Sequence, residues 1–299
     1  MTGRSGTTEQ GATVVTGAVG FIGRQVVAAL RARGVTPLTV DHRWSGRDEL
    51  ESLLGSAPVS ACLHLGWQLD PAGYLTDVAG NAAALSGSLA LLDALAARDC
   101  RHLVVTGTCA EYAASGDDLG EQSPLLPASP YAATKHALHR VLTGADRPAA
   151  LTVTWARLFN VSGQGERAGR LLPDVCEAVL TGHRAALSDG RQIRDYLDVH
   201  DVASALVGLA GAGIDGPVNV CSGRPVVLRE LLTELADLAG GPAGVRLLEF
   251  GARPRRDGEP GRVVGDPARL AATGWAPRTG ITAMLQAVVA DVRARLAGA

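Results

Sequence analysis

Residues 12–23 read Ala-Thr-Val-Val-Thr-Gly-Ala-Val-Gly-Phe-Ile-Gly. The first five suit a short buried strand, and from Phe21 to Arg33 apolar residues recur at helical spacing. Gly17, Gly20 and Gly23 stand at the join. Such a turn lets the backbone approach a pyrophosphate while the helix N-terminus faces its charge. A glycine triplet alone is a weak signal whose plain alternative is a tight turn without a ligand. Its place after the first strand makes it a candidate dinucleotide site.

Working outward, Val35–Val40 reads as a second strand ending in Asp41, followed by a short helix over Arg47–Leu54 and a strand over Ser60–Leu65. A long helix over Asn81–Arg98, a strand from Arg101 to Thr106, a helix from Tyr131 to Leu142 and a strand over Leu151–Leu158 continue the alternation. Strands alternating with helices predict a parallel sheet covered on both faces, with sites at the carboxyl ends of the strands. The fold class is therefore α/β, a doubly wound parallel sheet. Beyond Asn160 the alternation loosens into Arg/Gly/Pro-rich loops, with helices expected over Leu171–Thr181, Leu228–Ala239 and Ile281–Leu296. The expected division is a tail over 1–11, a dinucleotide-binding domain over 12–160 plus about 190–213, and a smaller C-terminal α/β substrate domain over about 161–189 plus 214–299.

Asp41 lies 18 residues beyond Gly23 and is placed to accept hydrogen bonds from an adenosine ribose, which favours NAD; Arg43 pulls towards the phosphate of NADP. Both cofactors stay open. The chain has 299 residues with a formal net charge of -2, which argues against nucleic acid or a membrane surface as its main partner. Its five cysteines show no Cys-x2-Cys spacing and suit free thiols in a reducing cytoplasm. The polar N-terminus lacks a basic-then-apolar signal, and no apolar run is expected to approach the roughly 18 residues of a membrane span. His136 and His139 could share a helix face, but no carboxylate has matching spacing, so no metal is expected.

Of 28 basic Lys and Arg residues one is a lysine, Lys135, four residues after Tyr131 in Ser-Pro-Tyr-Ala-Ala-Thr-Lys. On a helix these two share a face, and an ammonium beside a phenol is expected to lower the phenol's pKa towards neutrality. Tyr131 is thus a candidate proton donor and acceptor. Thr108, at a strand's carboxyl end in Thr-Gly-Thr-Cys-Ala-Glu-Tyr112, offers a hydroxyl to a carbonyl oxygen and the charge developing on it.

These residues resemble the extended short-chain dehydrogenase/reductases, the nucleotide-sugar epimerase and dehydratase group, over nearly the whole chain. Gly17, Gly20, Phe21, Ile22 and Gly23 match its Gly-x2-Gly-Phe-Ile-Gly turn. Leu63-His-Leu65-Gly66-Trp67 matches its strand end beside the cofactor, and Thr108, Tyr131 and Lys135 fall on its catalytic Ser/Thr and Tyr-x3-Lys. Arg157-Leu158-Phe-Asn160 matches a segment whose asparagine meets the sugar diphosphate, with Leu158 on the cofactor side. The resemblance implies a Rossmann-type fold, phosphate contacts from Arg194 and Arg256, substrate contacts from Thr108, Cys109, Tyr131 and Asn160, ribose contacts from Lys135, and a homodimer.

Two departures narrow the function. Only 18 residues separate Asp41 from Val59, so a further edge strand of the family is expected to be missing. After Thr108 stand Cys109 and Ala110 where the 4,6-dehydratases carry an acid and base pair, so dehydration is not expected. Three readings remain: NAD(P)H-dependent reduction of a nucleotide-linked 4-keto-6-deoxyhexose, expected to be a dTDP-sugar; NAD-dependent 4-epimerisation; and a non-catalytic NAD(P)-sensing protein.

Overall fold

The computed structural model describes residues 11–40, 47–67, 70, 73–144 and 150–298. Asp41, Arg43 and the N-terminal tail to residue 10 lie outside the described residues. In chain order the first half runs β1 (Ala12–Thr16), α1 (Phe21–Ala32), β2 (Leu38–Val40), α2 (Arg47–Leu54), β3 (Val59–His64), α3 (Val78–Ala96), β4 (His102–Thr108), α4 (Pro130–Leu142) and β5 (Thr152–Leu158). The second half runs β6 (Asn160–Ser162), α5 (Leu171–Leu180), β7 (Ala185–Leu187), β8 (Ile193–Arg194), β9 (Tyr196–Asp198), α6 (Val199–Ala212), β10 (Gly216–Val220), β11 (Val226–Val227), α7 (Leu228–Val245), β12 (Leu248–Phe250), β13 (Arg262–Val263), α8 (Ala268–Ala271) and α9 (Ile281–Ala297).

Six parallel strands form the main sheet in the order β10-β5-β4-β3-β1-β2. From β1 the chain moves outward to β2 and then crosses to β3 on the other side, which opens a crevice at the carboxyl ends of β1 and β3. Among the described residues β2 is the edge, and α2 alone connects it to β3. Helices α1 and α6 cover one face through Val26, Val27, Leu30, Val202 and Leu206. Helices α2, α3 and α4 cover the other through Leu50, Leu54, Leu91, Leu95 and Leu138. Burial on both faces explains the near-continuous apolar strands. A third core, built from α5, α7 and α9, lies beyond the sheet.

The structure corrects several expectations. Neither α6 nor β10 was anticipated; β10 pairs with β5 at the edge of the main sheet. Asp198 caps α6 by accepting from His200 N–H, and Gly213 ends it at a φ of 62°. Helix α7 continues past Ala239 across a kink at Gly240 and Gly241. Helix α3 is 19 residues long with a mean hydropathy of 1.4, so by length and composition an apolar stretch long enough to cross a membrane does exist. Its Asn81 and Ser88 are buried and hydrogen-bond Trp67 and His64 of the sheet end.

Candidate active site

The β1–α1 turn fits a dinucleotide phosphate. Gly17 has a φ of 68°, and a Cβ there would lie 2.9 Å from Gly66 Cα, so the turn and the end of β3 touch backbone to backbone. A Cβ on Gly23 would fall 2.0 Å from Gly17 O. Gly20 precedes α1 with extended backbone; no side chain caps the first N–H groups and the first turn carries no acid, leaving an open donor end for an anion. Phe21 and Ile22 are half-buried, and Ile22, Leu65 and Leu158 pack on the core beneath.

A directed hydrogen-bond chain holds the crevice. Gly66 N–H donates to Thr16 Oγ1 at 3.1 Å, and Thr16 Oγ1 meets His64 Nδ1 at 2.7 Å. His64 Nε2 meets Ser88 Oγ at 2.9 Å, and Ser88 donates to Ala84 O at 2.7 Å. Because the serine proton is committed to that carbonyl, His64 donates from Nε2 and accepts at Nδ1. Burial, with the nearby Lys135 charge, pulls His64 down to about 3, so it stays neutral.

Ser129 caps α4 by accepting from Ala132 N–H, and Pro130 occupies the first turn. This start points Tyr131 and Lys135 into the site. Lys135 is buried; its Nζ donates to Thr106 O at 2.9 Å and lies 3.8 Å from the Trp67 ring centroid. Desolvation pulls its pKa down to about 7, opposed by the charge of Glu111. Tyr131 packs edge-on to Tyr74 at 5.0 Å and to Trp67 at 6.5 Å. Burial first and Tyr74 second push the phenol above its ordinary value, against a smaller opposing influence of the nearby Thr108 side chain. The expected lowering by Lys135 does not occur, because the ammonium is turned to Thr106 O and the Trp67 face. The Thr108 hydroxyl accepts from Ala110 N–H at 3.2 Å, which leaves its own proton free to donate. Cys109 is half-buried beside this pair, and burial holds its thiol near 12.

On the opposite wall Asn160 Nδ2 donates to Asp195 O at 2.9 Å. The buried Asp195 carboxylate accepts from Ser222 N–H, Ser222 Oγ, Gly223 N–H and Gly265 N–H, tying this wall together. Arg194 is brought to the site but its Nη2 already meets Glu259 Oε1 at 2.6 Å. Arg256 is exposed, and its neighbour Arg255 is bidentate on Asp189 at 2.7 and 3.0 Å. Arg170, not anticipated, stands at the start of α5 with its guanidinium carbon 5.4 Å from the Tyr74 ring centroid.

Glu111 also went unanticipated as part of this site. Among the described residues Glu111, His136 and His139 each bring a ligand-type atom within 4.8 Å of the others, so the expectation that no carboxylate accompanies the two histidines is corrected. The Nδ1 atoms of both histidines lack hydrogen bonds. Glu111 Oε2, however, is held by Arg157 Nε at 3.2 Å, and a cation would sit against that guanidinium.

The family model described as NAD dependent epimerase/dehydratase matches residues 13–221. A GDP-6-deoxy-D-mannose reductase of Pseudomonas aeruginosa is 33% identical, with 94% of this chain and 97% of that protein covered. The solved structure of RMD from Pseudomonas aeruginosa complexed with NADPH has a TM-score of 0.81 at 30% identity, covering 95% of this chain and 99% of that one. The Thermus thermophilus UDP-glucose 4-epimerase complexed with NAD has a TM-score of 0.82 at 26% identity, covering 94% and 99%.

Proposed function

Since the chain belongs to the NAD-dependent epimerase/dehydratase family and is an NAD(P)-dependent enzyme of the extended short-chain dehydrogenase type, we propose that it reduces a nucleotide-linked 4-keto-6-deoxyhexose at C4. When bound, the reduced nicotinamide supplies the hydride. Thr108 directs its free proton to the C4 carbonyl oxygen, and Tyr131 gives its phenolic proton to the alkoxide that forms there. Lys135 stays buried beside the phenol and holds ribose hydroxyls. Asn160 and Arg194 hold the diphosphate, Arg194 exchanging Glu259 for it, and Arg256 joins from its exposed segment.

The observation that carries this reading is the placement of Tyr131, on one helix with the buried Lys135 and edge-on to Tyr74 and Trp67, with burial keeping the phenol protonated, the state a reductase needs in its forward direction. Cys109 and Ala110 supply no acid and base pair for dehydration. The dTDP-sugar reading extends to GDP-sugars because of the Pseudomonas reductase named above. NADH remains the preferred reductant, with NADPH the alternative supported by the RMD complex. The proposal carries with it a cytoplasmic place in deoxysugar biosynthesis and a homodimer formed through α3 and α4, where Val78 and Val141 are exposed.

The second reading, a 4-epimerase, is favoured by the similarity to UDP-glucose 4-epimerases. Cofactor consumption separates the two. Loss of NADH or NADPH absorbance with dTDP- or GDP-linked 4-keto-6-deoxyhexose, matched by reduced sugar, is the expected result. Inversion at C4 of a UDP- or dTDP-hexose without net cofactor loss would replace reductase by epimerase.

A further inference from the structure

Beneath Thr108 lies a carboxylate that no step above uses. Glu111 is completely buried. Its Oε1 accepts from the Thr108 backbone N–H at 3.0 Å and from Trp155 Nε1 at 2.9 Å, and its Oε2 accepts from Arg157 Nε at 3.2 Å. Arg157 Nη1 in turn donates to Tyr112 OH at 3.0 Å, and that hydroxyl donates to Asn219 Oδ1 at 2.6 Å on β10. A buried ion pair is a poor device for stability alone, because well-packed apolar side chains of similar volume often do as well or better. Its position suggests another purpose. Thr108 and Glu111 form a reciprocal cap on a single turn, with the Thr108 hydroxyl accepting from Ala110 N–H while the Glu111 carboxylate accepts from Thr108 N–H. The turn therefore sets where the free hydroxyl proton points.

We propose that Glu111 is a positioning residue for the ketoreduction, fixing Thr108 through this reciprocal cap and setting its carboxylate where it acts on Lys135. The proposal rests on the reading of Thr108 as the hydroxyl that meets the carbonyl. The charges and titratable groups around Glu111 and Lys135 are Arg157 from β5, His136 and His139 from α4, His64 from β3, and Tyr131 and Cys109 at the rim. His64 near 3 and His139 near 4 are neutral at neutral pH, Cys109 near 12 and the raised Tyr131 are protonated, and half-buried His136 lies 3.8 Å from Glu111 Oε2. The Glu111 carboxylate opposes the desolvation that drives Lys135 towards neutrality.

Two variants separate the two actions. Glu111→Gln keeps an acceptor for Thr108 but removes the charge; Glu111→Asp keeps the charge but is a methylene short of the Thr108 N–H. Both should lower kcat for ketoreduction about ten- to a hundredfold with KM within about twofold. NADH or NADPH affinity, followed by nicotinamide fluorescence, should weaken at a pH lower by about one unit in Glu111→Gln and be unmoved in Glu111→Asp. A lowered Tm with wild-type kcat and an unmoved midpoint in both variants would reduce Glu111 to a structural residue and overturn the proposal. If Glu111→Gln does not fold, Glu111→Asp decides by its kcat. A wild-type enzyme that reduces no nucleotide ketosugar sinks the reductase reading, and the cofactor midpoint still decides on Glu111.

Discussion

The Lys135 ammonium lies 3.8 Å from the centroid of the Trp67 ring, and Trp67 is held in turn by its Nε1–H bond to Asn81 Oδ1 at 2.9 Å. An ammonium over an indole face gains about 0.5–2 kcal/mol where solvent is excluded. Trp67→Leu removes that support and should weaken nicotinamide cofactor binding about 2- to 30-fold near neutral pH, with an earlier loss as pH rises. Trp67→Phe keeps an aromatic face without the Asn81 bond and should fall between. Cofactor titration by fluorescence checks this; wild-type affinity in Trp67→Leu would show that the ring only fills space.

Lys135 also shapes stability against pH. In the folded chain its pKa is down at about 7, below the unfolded lysine value of roughly 10.4. Between those values the unfolded chain holds the proton and the folded one does not, so this group makes stability rise with pH. Below about pH 7 both states carry the charge and its burial costs the full amount, on the order of 5 kcal/mol at most. Lys135→Met should therefore be more stable than wild type at pH 6, by a margin that shrinks towards pH 10. Paired denaturant titrations across that range measure the margin, and a constant difference would contradict the burial argument.

Gly107 is required for a packing reason. A Cβ there would lie 2.3 Å from Trp155 Nε1 and 2.9 Å from Glu111 Oε1. Gly107→Ala should push the indole off the carboxylate and destabilise the fold by about 1–3 kcal/mol, the usual range for overpacking. A chemical denaturation midpoint equal to wild type would mean that the β4 end adapts freely.

What was legible in the chain follows from the range of the interactions. The strand, glycine turn and helix over residues 12–23 are local, and so is the α4 cap that orients Tyr131 and Lys135; both could be read from neighbouring residues. Helix α6 is apolar almost all round, and β10 opens with Gly216-Pro217, so neither carries the periodicity that marks an element; only burial against the sheet defines them. The Glu111 network was hidden because its partners Trp155 and Arg157 arrive from β5, 44 and 46 residues away. The Tyr131 pKa failed for the same reason: helical spacing placed Lys135 correctly, but Thr106 O and Trp67, from other segments, took its ammonium.

The direction of the Tyr131 shift predicts how the two reaction directions respond to pH. With its pKa held above the ordinary value, the phenol is protonated throughout the neutral and mildly alkaline range. At saturating cofactor and sugar, kcat for reduction, which needs the proton donor, should be flat from pH 6 to about 9. Oxidation of the corresponding alcohol needs the phenolate and should climb with pH over the same interval. Tyr131→Phe removes the proton and should lower kcat in both directions about 10²- to 10⁴-fold while leaving cofactor affinity within about twofold. It should also abolish the pH slope of the oxidation. A reduction rate that already falls as a single titration between pH 7 and 8 at saturation would show that the phenol loses its proton near neutrality after all. Tyr131 would then be poised to accept as readily as to donate, which is the behaviour a 4-epimerase needs.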